Sequence, residues 1–410
     1  MSWAESAYTG LFSSVGALPQ RAADPEVPMA AGNVPAWGAR SAALQVGGAG
    51  WSLEDARGAC LGEAIERCQA QPLPGDRLIE SSARDWPSDE PFVSPERWVL
   101  FHPEQHRLPG FPFQPFSEAT PTRWVCFREL ETGSPRWVPV DLAFLYTRSP
   151  HAICPGVSTG LACGRWGDPL LLRGVQEVVE RDALMGAWWG RYPLEEWTRA
   201  ELGEELPDSL AARVLRPNLT YRFYRILSPF SSHVTLVTLS GEDREGWCFS
   251  VGSACRETRG PSWRKALLEA VQARSHVRFL LGKLRRGERG SPNSLADFED
   301  HALYSSVNPG HLETCALEAA TREHDLLAQE RSEDLSVLRR RLGPERPVLF
   351  RNLTPPAIAQ EVPELYVLKV LIPGLQPLHG VHALAHLGQG SLWAPAGLAE
   401  WAALSPHPFA

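Results

Sequence analysis

The 410-residue chain holds no C-x-x-C pair, no G-x-x-x-x-G-K-[ST] loop and no G-x-G-x-x-G turn. The eight cysteines (Cys60, Cys68, Cys126, Cys154, Cys163, Cys248, Cys255 and Cys315) are scattered, and several fall in apolar helix patterns. Reduced thiols there serve as small core residues, which points to a reducing cytoplasm and against a disulfide framework. Without either common phosphate loop, any nucleotide must be held by another device. No stretch of about 18 uncharged apolar residues occurs, which argues against a membrane span. The start, MSWAESAYTGLFSSVG, has no basic segment of the secretory kind. Basic excess is missing too: the net charge is -8, so a dedicated nucleic-acid binder is not expected.

What is present is ordinary in bulk, with 43% apolar and 21% charged residues, enough for a real core. The 15 tryptophans and 36 prolines are high and imply broad aromatic surfaces and long ordered loops. Residues 1–40 are Pro-, Ala- and Gly-rich and are expected to be extended or loop-rich. A helix is expected from Ser52, where Ser52 and Asp55 make a capping-box pattern. Asp168-Pro169 marks the start of a second helix, with Asp168 as N-cap, running to about Trp189. A third starts near Ser262. Strand patterns occur at 122–127, 136–146, 219–226, 232–240, 246–254, 346–352 and 365–374. Residues 283–297 are charged and turn-rich, an exposed connection, with helical stretches at 312–332 and 333–342. The alternation predicts a mixed α/β fold over 1–410, with subregions 1–150, 151–285 and 298–410.

One pattern recurs on the three helices: Glu63-x-x-Glu66-Arg67, Glu177-x-x-Glu180-Arg181 and Glu269-x-x-Gln272-x-Arg274. Residues three apart share a helical face. The residues between them are apolar, so each oxygen-bearing pair sits on a packed helix beside an arginine. A single E-x-x-E-R is most simply a solvated face with an intrahelical ion pair. Three together imply converging carboxylates, which are costly unless cations compensate them. Hard oxygen ligands of this type suit Mg2+ carrying substrate phosphates, with arginines on the phosphate oxygens.

At these residues the sequence resembles the YcaO family. GGAGWSLEDARGACLGEAIER (47–67), STGLACGRWGDPLLLRGVQEVVERDA (158–183) and RKALLEAVQARSHVR (264–278) are similar, in order, to that family's three ATP motifs. VLKVLIPGLQPLHG (367–380) and PHPFA (406–410) resemble its late segments. The resemblance implies an α/β YcaO-type fold with mixed sheets and helices lining an ATP/Mg2+ cleft. It implies that Glu63, Glu66, Glu177, Glu180 and Glu269 hold Mg2+. Arg67, Arg181, Lys265 and Gln272 would contact phosphates or the metal shell, and Ser158 and Thr159 would form a turn near the nucleotide. Departures are Ala59 for a frequent serine, Ala49 within Gly48-Ala49-Gly50 for a lysine, and Lys265 for an arginine, which loses the planar fork.

The tail resembles the P-x-P-x-P ending of azoline-forming members, with Pro406 and Pro408 retained and Ala410 in the last place. Proline stiffens such a segment, and the Ala410 carboxylate is the candidate general base. The implied activity is ATP-dependent cyclodehydration of Cys, Ser or Thr in a precursor peptide to thiazoline or oxazoline. Implied partners are the peptide itself, a separate E1-like leader-binding protein, a flavin dehydrogenase where azolines are oxidised, and a second copy in a homodimer. The alternatives are a thioamide- or amidine-forming enzyme of the same fold and a non-catalytic docking subunit. A third alternative is a zinc hydrolase using His379, His382 and His386.

Overall fold

A computed structural model describes residues 14–35, 44–73, 75–147, 149, 151–322, 331–393, 400–401 and 404–409. The chain opens with β1 (Val15–Ala17), β2 (Met29–Val34) and β3 (Leu44–Ala49), then α1 (Leu53–Gln69). Next come β4 (Leu78–Ser81), β5 (Thr122–Glu129), β6 (Pro135–Pro139), α2 (Val140–Ala143), β7 (Leu161–Arg165) and α3 (Asp168–Trp188). The central part continues with β8 (Leu194–Trp197), α4 (Arg199–Leu202), α5 (Asp208–Val214), β9 (Thr220–Ile226), β10 (Val234–Asp243), β11 (Gly246–Cys255) and α6 (Arg259–Arg285). Last are α7 (Phe298–Val307), α8 (Leu335–Leu342), β12 (Leu349–Asn352), α9 (Pro356–Glu361) and β13 (Leu365–Leu371).

Among the described residues these strands make three antiparallel sheets. The first runs β1-β2-β3, the second β11-β10-β9-β8, and the third β4-β5-β12-β13-β7 with β6 also on β5. Each long helix packs on at least one of them. Ala56, Cys60, Ala64 and Cys68 of α1 pack on Val34 and Val46 of the first sheet. Val175, Val179, Ala183 and Leu184 of α3 are buried with Tyr224 and Ile226 of the second sheet and Leu368 and Val370 of the third. Ala266, Leu267, Ala270 and Val271 of α6 join Val237 and Ala254 in a further core. Each large aliphatic side chain buried in this way contributes about 1.5–3 kcal/mol.

The expected mixed α/β class is the observed one. Ser52 caps α1 with both bonds of the capping box in place, and α8 lies within its predicted span. Several local expectations need correction. Residues 1–40 contain β1 and β2, short strands whose alternation is obscured by Gly and Ala. Gly167 rather than Asp168 is the N-cap of α3, because its φ of 136° turns the chain into the helix. Helix α6 starts at Arg259, earlier than expected. The connection 283–297 is tied down: Arg289 bonds Asp297 and Asp300 and pairs with Glu299 at the start of the unforeseen α7. Residues 309–314 and 316–319 are single 3-10 turns rather than one helix from 312. The rest of that stretch, 323–330, lies outside the described residues. All eight cysteines are free thiols, and no described helix is long and apolar enough to cross a membrane.

Candidate active site

The three helices deliver their glutamates to one cleft of about 1650 Å3, bounded by β2, β3, β7, α1, α3 and α6. Glu63, Glu66, Glu177, Glu180 and Glu269 all line it, as do Arg67, Arg181, Lys265, Gln272, Ser158 and Pro408. Pro406 and Thr159 are not among the described residues on its wall. Ala410, the expected general base, lies outside the described residues.

Backbone amides aim the carboxylates. The Gly47 N–H donates to Glu63 Oε2 at 3.0 Å, tying α1 to the end of β3. The Gly160 N–H donates to Glu177 Oε2 at 3.1 Å. Gly160 has φ +84°, and a Cβ there would stand 2.1 Å from the Val370 carbonyl oxygen, so only glycine fits this turn. Gly48 is equally constrained: a Cβ would meet Ala56 O and Cys60 N at 2.4 Å. Its role is the close approach of β3 to α1, so the G-A-G stretch serves packing whatever else it does. Glu180 is held on both oxygens, by the Ser253 hydroxyl at 2.6 Å and the Cys255 amide at 3.0 Å. Nothing in the spacing of Ser253 or Cys255 announces that pairing.

The electrostatics are those of too many acids in one place. Burial, then Glu177 and Glu63, push the Glu66 carboxyl up to about 8. Glu177 is raised by burial and by Glu180, against the pull of Arg181 and Lys369. Burial alone would also raise Glu269, but Lys265, Arg256 and Arg181 outweigh it and hold it below the ordinary range. Lys265 Nζ lies 3.0 Å from Glu269 Oε1. Arg67 and Arg181 sit one turn after Glu63 and Glu177, at 3.4 and 3.9 Å. Each arginine is thus only loosely paired, with donors left over for another anion. Two raised carboxyls beside three further glutamates mark a deficit of positive charge that a divalent cation would fill, and an all-oxygen donor set fits Mg2+.

Lys369 escaped notice in the sequence, where it stands alone in the apolar run LYVLKVL. It is fully buried on β13 and donates to the carbonyls of Val157 at 2.8 Å and Thr159 at 2.7 Å. That fixes the S-T-G turn from behind, and Thr159 takes part in it through its backbone carbonyl. Burial brings the ammonium down to about 7, with Glu177 pulling the other way. A lone lysine in an otherwise apolar strand was the available signal.

The tail is packed rather than frayed. Pro406, His407, Pro408 and Phe409 are all buried. The Phe409 ring meets Trp188 of α3 at 5.6 Å, and Trp188 Nε1 donates to the Ser405 carbonyl at 2.7 Å. His386 does not join His379 and His382; it stacks on Phe101 at 5.0 Å, because 382–384 is a single 3-10 turn that ends before it. The trio that would make a zinc hydrolase is therefore not assembled.

Residues 47–376 match the family model described as YcaO cyclodehydratase, ATP- and Mg2+-binding. Among curated proteins, none matches the sequence. Among solved structures, the chain is similar to YcaO from Methanopyrus kandleri bound with AMPPCP and Mg2+ (19% identity, TM-score 0.59, 89% of this chain and 86% of that one). It is similar to a heterocyclase in complex with substrate and cofactor (15%, TM-score 0.70, 91% of this chain), of which it spans 51%. The E. coli microcin synthetase McbBCD complex is also similar (12%, TM-score 0.63, 97% and 96%). At such identities these structures speak for the fold, whereas the family model covers most of the chain. By that match and by its fold, the chain belongs to the YcaO family.

Proposed function

We propose that the chain is an ATP-dependent cyclodehydratase acting on Cys, Ser or Thr residues of a ribosomally made precursor peptide. The observation that carries this is the meeting of all five glutamates and the tail residue Pro408 on the wall of one cleft. Mg2+ bound there would offset the negative charge of ATP phosphates and of the phosphoryl group in flight. Glu63, Glu66, Glu177 and Glu269 are the ligands in this reading, with Glu180 steadied by Ser253 and Cys255. Arg67, Arg181, Lys265 and Gln272 face the phosphates, and Ser158 borders the nucleotide on the turn that Lys369 fixes.

In the reaction, a substrate thiol or hydroxyl adds to the preceding amide carbonyl. The resulting oxyanion takes the γ-phosphoryl of ATP, releasing ADP. That addition closes the ring, and loss of the amide proton and of phosphate then forms the C=N bond of the azoline. Phosphorylation is needed because an amide oxygen leaves poorly by itself. The tail lines the same cleft through Pro408, which supports the azoline branch over thioamide or amidine formation. The similar E. coli complex also exists with pro-MccB17 bound, which supports a precursor peptide as substrate and a separate partner protein; in this reading that partner is E1-like and recruits the peptide. A homodimer and a flavin dehydrogenase acting afterwards belong to the same reading.

Reconstitution with the neighbouring gene products and a Cys/Ser/Thr-rich peptide is expected to give Mg2+-dependent loss of one water mass per ring. ATP turnover without any peptide mass change, across candidate peptides, would count against cyclodehydration.

Lys369 offers an independent handle. Its ammonium lowers the Glu177 carboxyl, so Lys369→Met should raise that carboxyl further. Turnover that needs ionised Glu177 then has its acid limb displaced to higher pH. An unshifted pH profile would show that the two groups do not communicate.

A further inference from the structure

Behind the tail lies a second group of side chains with a different donor chemistry. One ring nitrogen from each of His301, His379 and His382 falls within 4.8 Å of the other two. A point central to such a triangle is at most about 2.8 Å from each nitrogen, so modest ring rotations bring all three to the ~2.0–2.1 Å of a Zn–N bond. His301 comes from α7, far from the other two in sequence, and is 0% exposed; His379 is 2% exposed.

The hydrogen bonds fix which atoms are free. His301 Nδ1 lies 2.8 Å from the His407 carbonyl oxygen. A carbonyl can only accept, so Nδ1 carries the proton and Nε2 carries the lone pair. That Nε2 is buried with no partner. The arrangement is the one metal-bound histidines adopt, with the far nitrogen donating to a backbone carbonyl. Both nitrogens of His379 and the Nδ1 of His382 are likewise buried without a partner. Each such orphan is destabilising unless something satisfies it. His407 is not a candidate ligand: its Nε2 donates to the His379 carbonyl at 2.9 Å and its Nδ1 accepts from the Phe409 amide at 3.3 Å. Trp401 stacks on His382 at 4.7 Å and closes the site on one side.

We propose that His301, His379 and His382 bind one Zn2+-class ion, which locks the C-terminal tail against α7. Imidazole donors suit borderline divalent metals and not Mg2+, so this site is chemically separate from the glutamate cleft. The three nitrogens leave one position of a tetrahedral set to water. The mechanical link is short. The ion orients His301, His301 holds the His407 carbonyl, and the next residue, Pro408, lines the cleft.

The test uses untagged full-length protein stripped with dipicolinate and titrated with Co2+, then Zn2+. Wild type should develop a visible d–d band that saturates at one equivalent and is lost when Zn2+ displaces Co2+. Zn2+ should raise the unfolding midpoint by a few degrees and slow hydrogen exchange of the 404–409 amides by tenfold or more. His301→Gln and His382→Gln should lose both the band and the Zn2+ response; the less buried His382 provides the variant that folds most safely. No saturable band in wild type, or an equal band in both variants, overturns the site. One equivalent of bound metal with unchanged exchange at 404–409 overturns the tail lock. Neither Mg2+ nor ATP enters these assays, so failure of the cyclodehydratase reading would leave their outcome untouched.

Discussion

Glu66→Gln should give a protein that is more stable without Mg2+ and inactive with it. The Glu66 carboxyl has an ordinary value of 4.5 and is raised to about 8 in the folded chain by burial and by Glu177 and Glu63. Between those values the folded state binds a proton that the unfolded state has released. Stability from this group is therefore fully present below about 4.5 and is lost as pH climbs towards 8. The amide of glutamine is neutral at every pH and removes that loss, a gain of ~2 kcal/mol at pH 8 after discounting for its half-open position. With Mg2+ the order should reverse, since the ion favours the ionised carboxylate that the variant lacks. Denaturant unfolding of both proteins at pH 6 and 8, with and without Mg2+, checks the four values. Equal stabilities at pH 8 would show that Glu66 is not under electrostatic strain. The trade of stability for activity is the usual mark of a site arranged for a ligand.

The second large effect concerns the tail. Deleting Pro408–Ala410 should reduce peptide cyclisation by roughly 100-fold or more, the scale of a lost acid–base or positioning group. Nucleotide binding should survive, because none of the five glutamates is touched. Phe409 is 3% exposed and packs on Trp188, so the deletion also removes about 3 kcal/mol of packing. Phe409→Ala carries that same packing loss with the backbone intact and separates the two causes. Cyclisation by the deletion variant at the rate of Phe409→Ala would mean that the tail serves packing alone.

Much of the cleft could be foreseen because helical spacing is short-range. Glu63 and Glu66, or Glu177 and Glu180, must share a face once α1 and α3 form. The apolar residues between them say which way the helix is packed. That the three faces meet is a tertiary fact which the family resemblance supplied and the fold then displayed. What stayed hidden depends on contacts across long sequence gaps. Lys369 reaches a turn some two hundred residues away, Ser253 and Cys255 hold Glu180 from another strand, and His301 meets His379 across the tail. The short strands near the N-terminus were missed for a local reason: small residues carry too little hydrophobic contrast to reveal a period of two. The histidines show how topology decides. His382 and His386 would share a face on a helix, but the 3-10 turn at 382–384 sends them apart and brings in His301 instead.

The central claim is that the glutamate cleft is where nucleotide and Mg2+ bind. Calorimetric titration of a non-hydrolysable ATP analogue into wild type and Glu66→Gln, at fixed pH with and without Mg2+, addresses it most directly. The expected result is tight one-to-one binding that requires Mg2+ in the wild type, with that Mg2+ dependence abolished in the variant. Magnesium-dependent binding of equal strength in both proteins would place the nucleotide elsewhere and contradict the account.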